Sequence, residues 1–134
     1  MQRNAIRFLL FYISNTNNLH RFLEHFIEYG LESYNCTVQF GAVNSVTYLF
    51  VREELKAENL SLLIGALAEL LVNAHRQNRH ILYPTYTALE RLHSLIGTRR
   101  FVDAIQHKQN ELFQNKINEN IFVLYENLRK RAPS

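Results

Sequence analysis

The chain has 134 residues, of which 47% are hydrophobic, 20% charged and 12% aromatic, with one Cys and no Trp. This length accommodates one compact domain, or one domain with a helical extension, but not two independent cores. The composition excludes a largely disordered chain, a collagen-like repeat and a disulfide-rich scaffold.

The net charge of +3 is distributed unevenly along the chain. Residues 1–67 carry five basic and six acidic side chains, a charge of −1, whereas residues 68–134 carry ten basic and six acidic ones, a charge of +4. A basic half is compatible with binding to DNA or RNA, although a solvated helix face more often explains a charge of this size. The candidate nucleic-acid-binding residues are Arg76, Arg79, Arg99, Arg100, Arg129, Lys130 and Arg131.

The single cysteine, Cys36, cannot form an internal disulfide, which favours a reducing intracellular compartment, cytoplasmic or nuclear. It lies in an apolar stretch rich in β-branched residues, which predicts a buried, inert thiol. The apolar run over residues 6–13 is too short to cross a bilayer, so we expect no membrane insertion.

Three segments of the first half predict β-strands. Residues 6–13 are apolar, rich in aromatics and followed by a polar turn. In residues 35–40 apolar and polar side chains alternate, and residues 46–51 follow after a short connection, so these two segments predict a hairpin. Residues 81–83 are a possible fourth strand, which Pro84 would confine to an edge of the sheet.

Apolar residues at three- and four-residue spacing predict helices in the remainder. Residues 19–31 form one amphipathic stripe, and residues 59–76 are apolar around so much of the helix that it must be buried on more than one side. Residues 84–97 predict a helix that begins at Pro84 and ends at Gly97. Thr98 is a candidate cap for a last helix, which we expect to break between residues 115 and 120.

The order strand–helix–strand–strand–helix is the ferredoxin-like (split βαβ) pattern of an α+β fold, with an antiparallel sheet and its helices on one face. We therefore predict a ferredoxin-like core over residues 1–86, C-terminal helices over 87–129 that pack on the core or on a partner, and a disordered tail over 130–134. If residues 18–26 form a strand instead, the order becomes that of a longin-like α/β fold.

The predicted central strands are apolar on both faces, whereas a ferredoxin-like sheet exposes one face to water. The second face must be covered by the C-terminal helices, a second copy, another protein or nucleic-acid bases, because an exposed patch of large apolar side chains promotes association. The residues predicted to form this interface, on the long helix and the last helix, are Leu62, Ala66, Val72, Ile121, Leu124 and Leu128.

No catalytic motif stands out. The four glycines are isolated, there is one aspartate, and the six histidines lack the spacing of a helical zinc pair, so we expect neither a metal nor another cofactor. The sequence therefore predicts a non-catalytic protein–protein interaction or assembly module, either homodimeric or a small subunit of a larger complex. The alternative is a nucleic-acid-binding protein that uses its basic C-terminal half.

Overall fold

The computed structural model describes residues 19–49 and 57–131, and every regular element within them is helical. The helices are α1 (Leu19–Phe26), which continues into a π-helical turn (Ile27–Leu31), α2 (Cys36–Leu49), α3 (Ala57–Arg76), α4 (Leu82–Ile96), α5 (Thr98–Gln114) and α6 (Ile121–Arg131). A short 3-10 turn (Arg79–Ile81) precedes α4.

The predicted α+β fold is wrong, in both its ferredoxin-like and its longin-like form. Residues 35–40 and 46–49, predicted as the two strands of a hairpin, belong to the single helix α2 and the residue before it. Residues 19–26 are helix α1, and residues 81–83 form the end of the 3-10 turn and the start of α4. The predicted strand over residues 6–13 lies outside the described residues.

Helix α2 forms although its apolar residues are not concentrated on one helical face. The side chain of Asn35 caps the helix, since its Oδ1 accepts hydrogen bonds from the backbone N–H groups of Thr37 (3.0 Å) and Val38 (3.1 Å). One face is buried against α4 and the π-helical turn. The residues of this face are Gln39, Ala42, Val43 and Val46. These tertiary contacts override the strand preference of the β-branched residues.

The predicted helices of the second half are confirmed, although α4 begins at Leu82 and not at Pro84. Helix α3 is central, contacts α4, α5 and α6, and is buried on several sides, as the distribution of its apolar residues predicted. Gly97 ends α4 with a φ of 90°, a value that favours glycine, and the last helical region breaks between residues 115 and 120. Thr98 is not the cap, because Gly97 occupies that position and the Thr98 hydroxyl contacts His93 instead.

Contacts near the beginning of α3 show how the helices run. Ser61 shares a small groove with Ile96 and Arg100, so the start of α3, the end of α4 and the start of α5 meet at one end of the molecule, here called the Ser61 end. One turn further along α3, the side chain of Lys108 lies across Gly65. Helix α5 therefore runs in the same direction as α3, whereas α4 runs in the opposite direction.

All six helices contribute to one continuous hydrophobic core. The predicted domain boundary after residue 86 falls within α4, and α6 extends through Lys130 and Arg131. Over residues 19–49 and 57–131, no helix has both the length and the apolarity to span a membrane.

Candidate interaction surface

The six predicted interface residues fall into two groups. Val72, Ile121, Leu124 and Leu128 are buried in the chain's own core, each less than a tenth exposed. Leu62 is 40% exposed, and Ala66, one turn further along α3, is half-buried. Of the six, only these two lie where a partner could reach them without a change in structure.

Leu62 and Ala66 border two recesses on either side of α3. Leu62 lines a groove of about 390 Å³ between α3 and α5, with Gly65 and Ala104 also in its wall. Ala66 lines a cleft of about 450 Å³ between α3 and the connection that leads into α2. The strip of α3 between the two recesses is therefore accessible over about one helical turn.

The cleft beside Ala66 is polar and acidic. Glu32 and Glu69 both line it, and among the described residues of its wall none is basic. Burial raises the pKa of the Glu32 carboxyl, the carboxylates of Glu69 and Glu28 raise it further, and Lys108 lowers it. Cys36 lies at the rim with an exposed side chain, so the predicted buried thiol is wrong.

The outer face of α2 is a surface that the sequence analysis missed. Among residues 36–46, for which exposure is described, six are exposed and none of them carries a charge: Cys36, Thr37, Val38, Phe40, Gly41 and Asn44. Val38 is 46% exposed and Phe40 is 44% exposed. The sequence contains the signal, because no residue between Glu32 and Arg52 is charged, but the alternation over residues 35–40 predicts a strand of a sheet.

Gly41 lies near the middle of this face. Apart from the backbone of α2 itself and the two chain neighbours, no atom of residues 19–49 and 57–131 comes within 4 Å of the place where a Cβ would stand. The space above the backbone is therefore open, and another helix could approach closely at this point.

All seven candidate nucleic-acid-binding residues are exposed, but the structure separates them. Arg99 and Arg100 lie at the Ser61 end, whereas Arg76 closes α3 at the other end, about 22 Å away along the helix axis. Arg79 follows Arg76 at that second end. The seven side chains do not form one continuous basic stripe.

The basic C-terminal residues of α6 lie towards the Ser61 end. Arg129 is close enough to His93 to influence its pKa, and the same imidazole contacts Thr98, which immediately precedes Arg99. The Arg129 guanidinium also lies 3.8 Å from the carboxylate of Glu126, in an exposed ion pair. Arg99, Arg100 and Arg129, followed by Lys130 and Arg131, thus concentrate positive charge at this end.

In residues 19–49 and 57–131, no three His, Cys, Asp or Glu side chains converge as a set of metal ligands would. Comparisons with known proteins give no further direction: no protein-family model, curated protein or solved structure matches the chain.

Proposed function

We propose that this chain is a helical assembly module that binds a second copy of itself through the outer face of α2. The observation that supports this proposal is the complete absence of charge from a helix that exposes six of its described side chains. The surface of a soluble domain ordinarily carries charged residues at roughly 25–35% of its positions. Charged residues are depleted at the centre of protein–protein interfaces.

The other described helices provide an internal comparison. Each of them exposes at least one charged side chain: Arg21 on α1, Arg76 on α3, Arg91 on α4, Asp103 on α5 and Glu126 on α6. An uncharged outer face is therefore particular to α2 and is not a general property of this basic chain. This contrast favours a partner that covers α2.

A second copy is the occupant that best fits an uncharged face. In a twofold-symmetric dimer the same surface meets itself, so a charge near the symmetry axis would face its own copy, and a charge away from the axis would be buried without a partner unless the same face carried an opposite charge. The face of α2 avoids both costs. Gly41 allows close approach of the two helices, and Val38 and Phe40 supply apolar contact on either side.

The mass of the full chain in solution, measured by light scattering over a range of concentrations, tests the proposal. We expect a dimer for the wild type and a monomer for Gly41→Glu and for Val38→Glu, because each places a carboxylate in the α2 face. Val102→Glu is the matched control, since Val102 is a 38%-exposed valine on α5 and its replacement should leave the dimer intact. A wild-type monomer at every concentration, or a dimer unaffected by both α2 variants, would contradict the proposal.

We also propose that the module is non-catalytic and acts inside the cell. The exposed thiol of Cys36 lies on the α2 face, where an oxidising compartment would promote disulfide cross-linking between copies. A reducing compartment leaves the face free for reversible association.

A second function is supported by the positive charge at the Ser61 end. Arg99, Arg100 and Arg129 could contact the phosphates of DNA or RNA, and affinity should then fall steeply as salt rises. Gel-shift assays of the full chain across a salt series test this, with Arg99→Glu/Arg100→Glu as the disruptive variant. Arg76→Glu/Arg79→Glu is the control, because these arginines lie at the opposite end. No shift at low salt would contradict nucleic-acid binding.

A further inference from the structure

The side chain of His93 joins three helices. From its place on α4, its Nδ1 lies 3.0 Å from the hydroxyl of Tyr125 on α6, and its Nε2 lies 2.9 Å from Oγ1 of Thr98 on α5. The imidazole also stacks on the ring of Phe101 on α5, with the ring centroids 4.3 Å apart and the planes inclined by 8°. One ionisable ring on α4 thus contacts both α5 and α6.

The surroundings of His93 favour its neutral form. Burial lowers the pKa of the imidazole, and the guanidinium of Arg129 on α6 lowers it further. Two carboxylates oppose this, Glu126 on α6 and Glu90 on α4. A neutral imidazole has one donor and one acceptor nitrogen, and the two hydroxyl groups can supply the complementary roles.

We propose that His93 is a pH-sensitive latch for α6: when the imidazole gains a proton, α6 separates from the rest of the bundle and exposes Ile121, Leu124 and Leu128. The added charge would lie in a partly buried site and next to Arg129. Separation of α6 relieves both conditions, because it moves Arg129 away and admits water to the ring. This latch does not depend on self-association through α2.

Helix α6 is suited to such a transition because it cannot persist alone. An isolated helix shorter than roughly 12–15 residues is marginal in water, and α6 has 11 residues. Apart from its apolar anchors, it is held at its beginning by the side chain of Gln109 and in its middle by the contact between His93 and Tyr125. Once it has separated from these contacts, α6 should therefore unfold. The residues exposed are three of those that the sequence predicts as an interface.

A pH titration of the full chain tests the latch, with the His93 ring followed by NMR and the α6 amides by hydrogen exchange. We expect His93 to titrate below the ordinary value of 6.5, and the α6 amides to lose protection with the same midpoint while the α3 amides remain protected. In His93→Phe, which keeps a stacking ring but cannot titrate, protection of α6 should not change over this pH range. His107→Gln, at an exposed histidine on α5, should behave as the wild type.

Arg129→Gln is an independent test that keeps His93 in place. Because it removes a cation next to the imidazole, both the His93 titration and the loss of α6 protection should shift to higher pH. The latch is refuted if α6 protection is the same above and below the pH at which the His93 ring itself titrates. The latch is also refuted if the α6 amides of His93→Phe still lose protection as the pH falls. If that variant does not fold, the latch is refuted when the midpoint of the His93 titration and the midpoint of the loss of α6 protection do not move together in Arg129→Gln.

Discussion

At the scale of single residues, Asn35 determines where α2 begins. Its side chain accepts hydrogen bonds from two of the backbone N–H groups that the first turn leaves unpaired. Its own backbone N–H donates to the hydroxyl of Ser33 at 3.1 Å, which fixes the connection that enters the helix. The hydrogen bonds of Asn35 thus place the start of the helix that carries the uncharged face.

We expect Asn35→Ala to lower the free energy of unfolding by about 0.5–2 kcal/mol, because the cap is lost while the helix sequence is unchanged. Asn35→Asp is the control, since a carboxylate can accept the same hydrogen bonds. Urea unfolding followed by far-UV circular dichroism measures both variants. Equal loss of stability in the two variants would show that the cap does not hold α2 in place.

At the scale of elements, the sequence predicts helices correctly where spacing and boundaries agree. Residues 59–76 have a long apolar stripe, and Gly97 lies where a helix should end, so α3 and α4 follow from local pattern. Helix α2 could not be predicted in this way, because residues 35–40 alternate as in a strand and the apolar residues of α2 are spread around the helix. Its contacts with α4 and the π-helical turn select the helix, and these contacts are not local in sequence.

The start of α6 depends on one side chain of a neighbouring helix. Gln109 on α5 donates from Nε2 to the carbonyl of Glu119 (2.7 Å), and its Oε1 accepts from the backbone N–H of Ile121 (2.9 Å). Asn120 adds a local cap, because its Oδ1 accepts from the N–H of Val123 at 3.1 Å. These hydrogen bonds therefore determine the residue at which the connection from α5 ends and α6 begins.

Replacement of Gln109 by alanine should lower the free energy of unfolding by about 1–3 kcal/mol, because a partly buried N–H and a carbonyl lose their partner. Hydrogen exchange should show the loss first in α6. Gln106→Ala is the matched control on the same helix, because the exposed Gln106 bonds only to the side chain of Asn110 among the described contacts. A uniform loss across all helices would indicate that Gln109 supports the core and not the position of α6.

At the scale of the whole molecule, the predicted interface shows what a single sequence can establish. The pattern of α3 correctly indicates that the helix meets neighbours on several sides, but it does not say which neighbours. Leu62 and Ala66 remain at the surface because α5 and the connection before α2 pass on either side of them. Val72 and the apolar residues of α6 instead meet helices of the same chain. Which neighbour each apolar face meets depends on the arrangement of all six described helices.

The stability of the whole bundle should also fall in alkaline solution. Burial, a hydrogen bond to Glu90 and the charge of that carboxylate raise the pKa of Tyr86 from 10 to about 12. The pKa of Tyr125, whose ring lies 5.5 Å from that of Tyr86, is also raised to about 12, mainly by burial. Between these two pH values the unfolded chain releases a proton that the folded chain keeps, so the free energy of unfolding decreases as pH rises.

Tyr86→Phe should weaken this alkaline dependence, because it removes one of the two phenols while leaving His93 and Tyr125 paired. A shift of about two pKa units corresponds to a contribution on the order of 2 kcal/mol, present below pH 10 and lost towards pH 12. Urea unfolding at a series of pH values measures it, and Tyr83→Phe is the matched control, since Tyr83 is a 47%-exposed tyrosine on the same helix. If the two variants lose stability in parallel above pH 10, the ionisation of Tyr86 is not the cause of the alkaline loss of stability.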